Sequence, residues 1–194
     1  MGHTVGEILI SQERVAARVR QLAETVARAY AGRNPVVVAV MKGCVLFLAD
    51  LVRAWPASVD LEFVSAESYD GTQPGRICLT FPQDLQRRVA GRPVLVVDDI
   101  YDTGRTLTEV CRAVAAMGAA EVRTLVLLLK RHDPAAQPGC PSPTGAPPPL
   151  GTPDWVGFEI PDLFVVGYGL DYRGRYRNLP HVAVLRTEKT TDNS

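Results

Sequence analysis

The chain has 194 residues, and 46% of them are hydrophobic, which is enough to build one sizeable core. Lys and Arg together number 21, and so do Asp and Glu, so the chain has no net charge that would attract nucleic acid or an anionic membrane. No apolar run reaches the ~20 residues that span a bilayer. We therefore expect neither a nucleic-acid partner nor a membrane partner.

Cysteine usage and the N-terminus bear on the compartment. Cys44, Cys78, Cys111 and Cys140 stand far apart with no CxxC pair, which argues against a metal or redox motif. The segment MGHTVGEILI has no basic region followed by a long apolar run, so it does not resemble a signal peptide. We expect a soluble, cytoplasmic protein.

The first third of the chain predicts a helix, a buried strand and a second helix. Ser11 is suited to cap a helix, whose apolar residues follow helical spacing until Gly32. The run PVVVAV (35–40) is apolar at every position, as in a strand covered on both faces. Residues 45–55 then read as a helix that Pro56 closes.

A polar hairpin is predicted next. Residues 58–66 alternate between apolar and polar and indicate a strand turning into a loop. The segment 67–76 is polar and rich in turn residues, and 76–80 resembles a short strand. Together these segments predict a long hairpin or flap.

A strand–helix–strand unit follows. VLVV (94–97) is an all-apolar strand, a helix begins at Thr103 and ends at Gly118, and VRTLVLLL (122–129) is the next buried strand. Such a unit is right-handed, with parallel strands. The fold class predicted is α/β, with an open, doubly wound parallel sheet flanked by helices.

The last third contains a loop and three more strand-like runs. Residues 133–153 are rich in Pro, Gly and Ala, so they predict an exposed, flexible loop rather than a domain linker. WVGFEI, LFVVGYGL and HVAVL follow it. We expect one domain over residues 1–194.

The segment after strand 94–97 combines acids with a turn suited to anions. Asp98 and Asp99 come directly after the strand, at the edge where open α/β sheets bind ligands. A helix N-terminus has free N–H groups and binds phosphate readily. The residues placed there are Asp102, Thr103, Gly104, Arg105 and Thr106.

These two halves together predict a ribose 5-phosphate site. The turn 103–106 would hold the phosphate, while Asp98 and Asp99 would hold vicinal hydroxyls or a magnesium ion attached to them. A purely structural alternative makes Asp102 the helix cap and leaves two solvated aspartates. We favour the ligand site, because three carboxylates so close repel one another without a cation or hydroxylated ligand.

The stretch DDIYDTGRT (98–106) resembles the phosphoribosyl-diphosphate-binding signature of the type I phosphoribosyltransferases. Nearly the whole chain is similar, in order, to the hypoxanthine-guanine phosphoribosyltransferases, and only the proline-rich loop looks longer. The resemblance implies the type I phosphoribosyltransferase fold with a small hood lobe. The other matching segments are ILIS near residue 10, VMKGCVLFLADL (40–51), SYDG (68–71), LLLKR (127–131) and VGFEIPDLFVVGYGLDYRGRYRNLPHVAVL (156–185).

The resemblance implies purine salvage that depends on Mg²⁺. Phosphoribosyl diphosphate and a 6-oxopurine, hypoxanthine or guanine, would give IMP or GMP and diphosphate. Asp102 corresponds to the base near purine N7, and Lys130, which alone could be a strand-end lysine reaching solvent, to the donor to purine O6. Phe164 corresponds to the aromatic that stacks on the purine, and the Val165 backbone to the group that reads the purine edge.

The resemblance also implies metal and diphosphate contacts. Asp171 corresponds to the second magnesium ligand, on the diphosphate side. Asp98 and Asp99 are the other metal ligands expected. Lys42 with Gly43, and Arg177, correspond to the diphosphate contacts, and a cis peptide is implied between Met41 and Lys42. Ser68 and Tyr69 correspond to a flap that closes over the site and keeps water from the ribosyl cation.

Two positions depart from the family pattern. Asp98 stands where many relatives have glutamate, so it could reach the ribose directly or through metal-bound water. Tyr101 stands where a small aliphatic residue is usual, and could line the pocket or cap the core. The histidines His3, His132 and His181 have no clustered partners in the sequence, and none is assigned a role.

Two alternative functions are kept. One is an RNA-binding attenuator of pyrimidine genes with uracil phosphoribosyltransferase activity, which shares part of the motif but usually lacks the aspartate at position 102. The other is a purine phosphoribosyltransferase that prefers xanthine. Relatives form dimers or tetramers, so a homodimer or homotetramer is expected.

Overall fold

The computed structural model describes residues 3–69, 76–132 and 151–187. Most of the predicted proline-rich loop, 133–150, and the predicted flap tip, 70–75, lie outside the described residues. The helices described are α1 (Gln12–Ala29), α2 (Val45–Ala54), α3 (Leu85–Val89) and α4 (Arg105–Ala116). The strands described are β1 (His3–Ile10), β2 (Val36–Met41), β3 (Asp60–Tyr69), β4 (Arg76–Thr80), β5 (Pro93–Tyr101), β6 (Glu121–Arg131), β7 (Trp155–Pro161), β8 (Val165–Val166) and β9 (Val182–Thr187).

A six-stranded sheet in the order β4-β3-β2-β5-β6-β7 forms the centre of the molecule. Its five strands from β3 to β7 run parallel, and β4 pairs antiparallel with β3 at one edge. The predicted α/β class with an open parallel sheet is confirmed. Because all the parallel strands point the same way, the segments that follow β2, β5, β6 and β7 meet where the strands have their carboxyl ends.

The all-apolar runs of β2 and β5 are explained by cores on both faces of this sheet. Val37 and Leu95 pack in a cluster with α1 and α2, and Val36 and Val94 pack in a second cluster with α3 and α4. Successive strand residues point to opposite faces, so burial on both sides requires an apolar residue at every position.

A second sheet of three antiparallel strands, β1-β9-β8, forms the hood predicted from the family resemblance. Its outer pairing joins His3 to Thr187 and Ile10 to Val182, so the two ends of the described chain lie together. The sequence did not predict β1, because only Ile10 of that strand is buried and no period-2 pattern is visible.

Several predicted boundaries are wrong, and α3 was not predicted. β5 continues to Tyr101, so Asp98 and Asp99 lie within the strand rather than after it. β3 continues to Tyr69, well into the segment predicted as turn-rich. Helix α4 begins at Arg105, two residues later than predicted. No helix among the described residues is long and apolar enough to cross a membrane.

Candidate active site

The end of β5 and the turn into α4 enclose a cavity of about 240 Å³. Met41 and Gly43, at the end of β2, close its other side. The structure therefore brings the predicted ribose phosphate residues to one cavity. These residues are Asp98, Asp99, Asp102, Thr103, Gly104, Arg105 and Thr106.

Gly104 caps α4 in the left-handed conformation, with φ 74°. A Cβ atom placed there would lie 2.3 Å from the hydroxyl oxygen of Tyr101, so the position excludes larger residues on two grounds. Asp102 does not cap the helix, and that structural alternative is wrong.

Tyr101 fills both of the roles left open by the sequence. It lines the cavity beside Gly104 and also packs against the apolar cluster under α4. Its hydroxyl donates a hydrogen bond of 3.4 Å to the carbonyl of Gly151. Partial burial raises the pKa of the Tyr101 phenol.

Asp98 and Asp99 are buried carboxylates, 7% and 9% exposed. The backbone N–H of Asp99 donates to Asp98 Oδ1 at 2.9 Å. Burial, followed by the neighbouring charge of Asp99, raises the pKa of Asp98 well above its usual range. Burial also raises the pKa of Asp99. Paired acids in this state favour a cation or a hydroxyl donor as a ligand.

A second cavity, of about 340 Å³, adjoins the first and shares Gly43, Asp99, Ile100 and Asp102 with it. It collects residues from the ends of β2, β5 and β6 and from the hood. The predicted site residues that line it are Lys42, Gly43, Asp99, Asp102, Lys130, Phe164, Val165, Asp171 and Arg177. Every predicted site residue whose side chain is described therefore lines one cavity or the other.

Two glycines allow the loop after β2 to approach the acids. A Cβ atom at Gly43 would lie 1.8 Å from Asp99 Oδ2, and one at Gly169 would lie 2.0 Å from the Gly43 carbonyl oxygen. Gly169 also has φ +100°. The peptide between Met41 and Lys42 is cis, as the resemblance implies.

Asp171 and Arg177, which the resemblance assigns to metal and diphosphate, are paired with each other. Arg177 Nη2 lies 2.6 Å from Asp171 Oδ1, and Arg177 Nη1 donates to the Gly169 carbonyl at 2.6 Å. Asp171 Oδ2 accepts a 2.6 Å hydrogen bond from the N–H of Gly174. Both side chains are thus held at the cavity wall.

Phe164 and Val165 are the part of the hood's chain around β8 that lines the second cavity. Phe164 is 52% exposed, with one edge contact to Tyr172 at 5.6 Å between ring centroids. Val165 is buried and pairs with Val184 across β8 and β9. An exposed ring beside a fixed backbone edge is suited to bind a flat heterocycle. The side chains of Ser68 and Tyr69, predicted for the flap, lie outside the described residues.

Four ionisable side chains form a closed ring at the carboxyl ends of β5, β6 and β7. Lys130 Nζ lies 3.1 Å from Asp102 Oδ2 and 3.4 Å from Asp162 Oδ1. His132 Nε2 lies 2.9 Å from Asp102 Oδ1, and His132 Nδ1 lies 3.1 Å from Asp162 Oδ2. Basic side chains and carboxylates alternate around this ring, which we call the charge ring (Asp102, Lys130, Asp162, His132).

The charge ring rules out one alternative, for Lys130, and corrects one expectation, for His132. Lys130 does not reach freely into solvent, because its side chain is only 12% exposed and has two carboxylate partners. His132 does have clustered partners, and Asp162 was missed with it. One sequence signal was available: His132 is two positions beyond Lys130, so strand geometry puts both on the same face.

The charge ring also bears on metal binding. The ligand atoms of Asp102, His132 and Asp162 lie within 4.8 Å of one another. However, the Lys130 ammonium already contacts both carboxylates and supplies positive charge there. We therefore assign no metal to this cluster.

A larger cavity of about 630 Å³ lies at the opposite end of the sheet. It opens between α1, the start of β2 and the loop after α2, where Tyr30 and Trp55 line it. Ligands of open α/β sheets bind at the carboxyl ends of the strands, so we assign no ligand to this cavity.

The comparisons with known proteins agree with this geometry. The family model described as phosphoribosyl transferase domain matches residues 5–173. The chain belongs to the phosphoribosyltransferase family. The sequence resemblance and the type I fold are thereby confirmed.

Similar proteins include single-activity and bifunctional relatives. The hypoxanthine-guanine phosphoribosyltransferase of Bacillus subtilis is 33% identical over 186 residues, which cover 96% of each chain. The bifunctional protein TilS/HprT of Listeria monocytogenes is 35% identical over 188 residues, and the chain spans 27% of its length. A crystal structure of a hypoxanthine-guanine phosphoribosyltransferase from Bacillus anthracis has a TM-score of 0.78 at 33% identity and covers 95% of this chain and 100% of its own.

Proposed function

We propose that the protein transfers the 5-phosphoribosyl group of phosphoribosyl diphosphate to hypoxanthine and guanine, giving IMP or GMP and diphosphate in purine salvage. The relatives named above supply the reaction class. One observation carries the proposal to this chain: two cavities share Asp99 and Asp102, so a sugar phosphate and a base bound in them would be neighbours.

The first cavity is suited to the ribose 5-phosphate. Residues 103–106 lead into the N-terminus of α4, whose free N–H groups and dipole favour a phosphate. Gly104 lets the phosphate approach the backbone closely, and the hydroxyls of Thr103 and Thr106 add donors. Asp98 and Asp99 would then accept hydrogen bonds from the ribose hydroxyls.

The second cavity is suited to a 6-oxopurine. The Lys130 ammonium can only donate hydrogen bonds, so it favours a 6-oxo group and repels a 6-amino group. Asp102 would accept the proton from purine N7 as N9 attacks the ribose carbon. Phe164 would stack on the purine, and the Val165 backbone would contact its edge.

Residues around the acids fit a divalent metal, which the family generally requires and which we propose to be Mg²⁺. Among the described residues, neither Asp98 nor Asp99 forms a salt bridge with a cation, although both are buried. Asp171 lines the second cavity together with Asp99. Carboxylates are suitable Mg²⁺ ligands, and the ion would offset the charge of the leaving diphosphate. Lys42, Gly43 and Arg177 would bind that diphosphate.

Organisation and location extend the proposal. We propose a single domain over residues 1–194 that forms a homodimer or homotetramer, which sedimentation equilibrium would test. We also propose a cytoplasmic location, because the three described cysteines, Cys44, Cys78 and Cys111, are free thiols, as is usual in reducing compartments.

A spectrophotometric assay with phosphoribosyl diphosphate and a panel of bases tests the function. We expect transfer to hypoxanthine and guanine, little transfer to adenine or uracil, and loss of turnover when EDTA removes Mg²⁺. A clear preference for xanthine or uracil would favour the corresponding alternative enzyme. The absence of transfer to any purine would overturn the proposal.

A further inference from the structure

We propose that His132 is a positioning residue that, as an imidazolium ion, orients Asp102 for its work on the purine. Asp162 anchors the imidazolium from the other side. The proposal rests on the proposed function, because it concerns the residue that handles the purine proton. It predicts that kcat/KM for the purine depends on pH.

Both ring nitrogens of His132 face acceptors. Nε2 lies 2.9 Å from Asp102 Oδ1 and 3.0 Å from the Asp102 carbonyl oxygen. Nδ1 lies 3.1 Å from Asp162 Oδ2. A neutral imidazole has one N–H group and can donate on one side only, whereas an imidazolium donates on both. The geometry therefore selects the charged form.

The surrounding charges favour the same state. The hydrogen bond to the Asp102 carbonyl, followed by the Asp162 carboxylate, raises the pKa of His132 above its usual range, although partial burial opposes this. In return, the bond from His132 holds the pKa of Asp162 below its usual range. Lys130 is the like charge within the ring, and the adjacent Arg131 is paired with Glu159.

The two oxygens of Asp102 have different partners, and this gives His132 its function. Oδ1 is held by His132 and Oδ2 by Lys130. Lys130 and Asp102 line the purine cavity, while His132 is absent from its lining. When the Lys130 ammonium turns to a purine O6, His132 remains as the cation that fixes Oδ1. Oδ2 is then directed at the N7 proton.

Deprotonation of His132 removes one of these contacts. Below the pKa of His132 the imidazolium holds both carboxylates, and above it the neutral ring donates to one of them only. We therefore expect kcat/KM for hypoxanthine to fall at alkaline pH, where Asp102 loses its fixed orientation in part of the molecules.

Three variants separate positioning from general structure. His132→Ala should lower kcat/KM for hypoxanthine about tenfold, with the KM for phosphoribosyl diphosphate little changed. His132→Gln places an amide donor where Nε2 stood, so it should retain most activity but lose the alkaline fall. His181→Gln removes a histidine outside the charge ring and should keep the wild-type profile.

The decisive experiment combines pH–rate profiles with an NMR titration of the histidine ring signals, in which His132→Gln identifies the His132 signal. We expect a raised His132 pKa that falls in Asp162→Asn, and an alkaline fall in kcat/KM that His132→Gln abolishes. An ordinary His132 pKa, or the same alkaline fall in His132→Gln, would overturn the inference. If wild-type protein transfers no phosphoribosyl group, the proposed function fails instead, and the titration still reports on the charge ring.

Discussion

Arg177 Nη2 and Asp171 Oδ1 lie 2.6 Å apart, so the cation and the acid that the family resemblance assigns to diphosphate and metal neutralise each other. Diphosphate and a divalent cation would bring the opposite charges to these two residues. Ligand binding would therefore replace the pair between Arg177 and Asp171 by two pairs, Arg177 with diphosphate and Asp171 with the cation.

This exchange predicts the effect of Asp171→Ala. Loss of one carboxylate ligand should raise the Mg²⁺ concentration for half-maximal activity about tenfold, measured by titration at saturating phosphoribosyl diphosphate. Asp84→Asn, in an exposed ion pair far from the cavity, is the control and should leave the titration unchanged. An unaltered Mg²⁺ requirement in Asp171→Ala would remove this residue from the metal ligands.

Asp102→Asn tests the assignment of the base. An amide has nearly the shape of the carboxylate but cannot accept the N7 proton, so kcat should fall about 10²–10⁴-fold while the KM for hypoxanthine changes little. Steady-state kinetics at several hypoxanthine concentrations measure both constants. Near-normal turnover of Asp102→Asn would show that another group manages the proton.

Asp98→Asn should stabilise the ligand-free protein while it impairs activity. The pKa of Asp98 is higher in the folded than in the unfolded chain, so its ionised form disfavours folding, and that penalty disappears as pH falls through the folded pKa. We expect a gain of about 1 kcal/mol near pH 7.5, or ~2–4 °C in Tm, which shrinks in acid. Thermal unfolding at pH 7.5 and at acidic pH checks this, and a lower Tm for the variant at pH 7.5 would contradict it.

Gly104→Ala tests how strongly the turn at residues 103–106, which we call the phosphate turn, depends on glycine. Gly118, with φ +90° and no neighbour nearer than 3.9 Å to an added Cβ, is the matched control. Gly118→Ala should cost about 1–2 kcal/mol of stability from its backbone alone. Gly104→Ala adds the clash with Tyr101 and should cost about 1–3 kcal/mol more in urea unfolding. Equal losses in the two variants would show that Tyr101 yields freely.

The central sheet could be predicted from the sequence because burial on both faces demands continuous apolar runs, as in β2 and β5. The exposed strand β1 and the five-residue helix α3 have no such pattern, so they were missed. The phosphate turn could be predicted because acids, glycine and hydroxyls are adjacent in the chain.

The charge ring could not be predicted in the same way. His132 is 30 residues from Asp102 and 30 from Asp162 along the chain, and the meeting of the three depends on the register of neighbouring strands. In that register Lys130 pairs with Ile160 and Arg131 with Pro161, which brings the segments after β6 and β7 together. Residue spacing along the chain carries no direct record of this pairing.

The hood has a consequence for how the site assembles. Its sheet joins β1 to β9, strands from the two ends of the described chain, and contacts of such long sequence separation form slowly and late. The phosphate turn, by contrast, is built from one continuous strand–turn–helix segment. The turn that would hold the sugar phosphate thus depends on neighbours in sequence, whereas discrimination between bases depends on the pairing of the two chain ends.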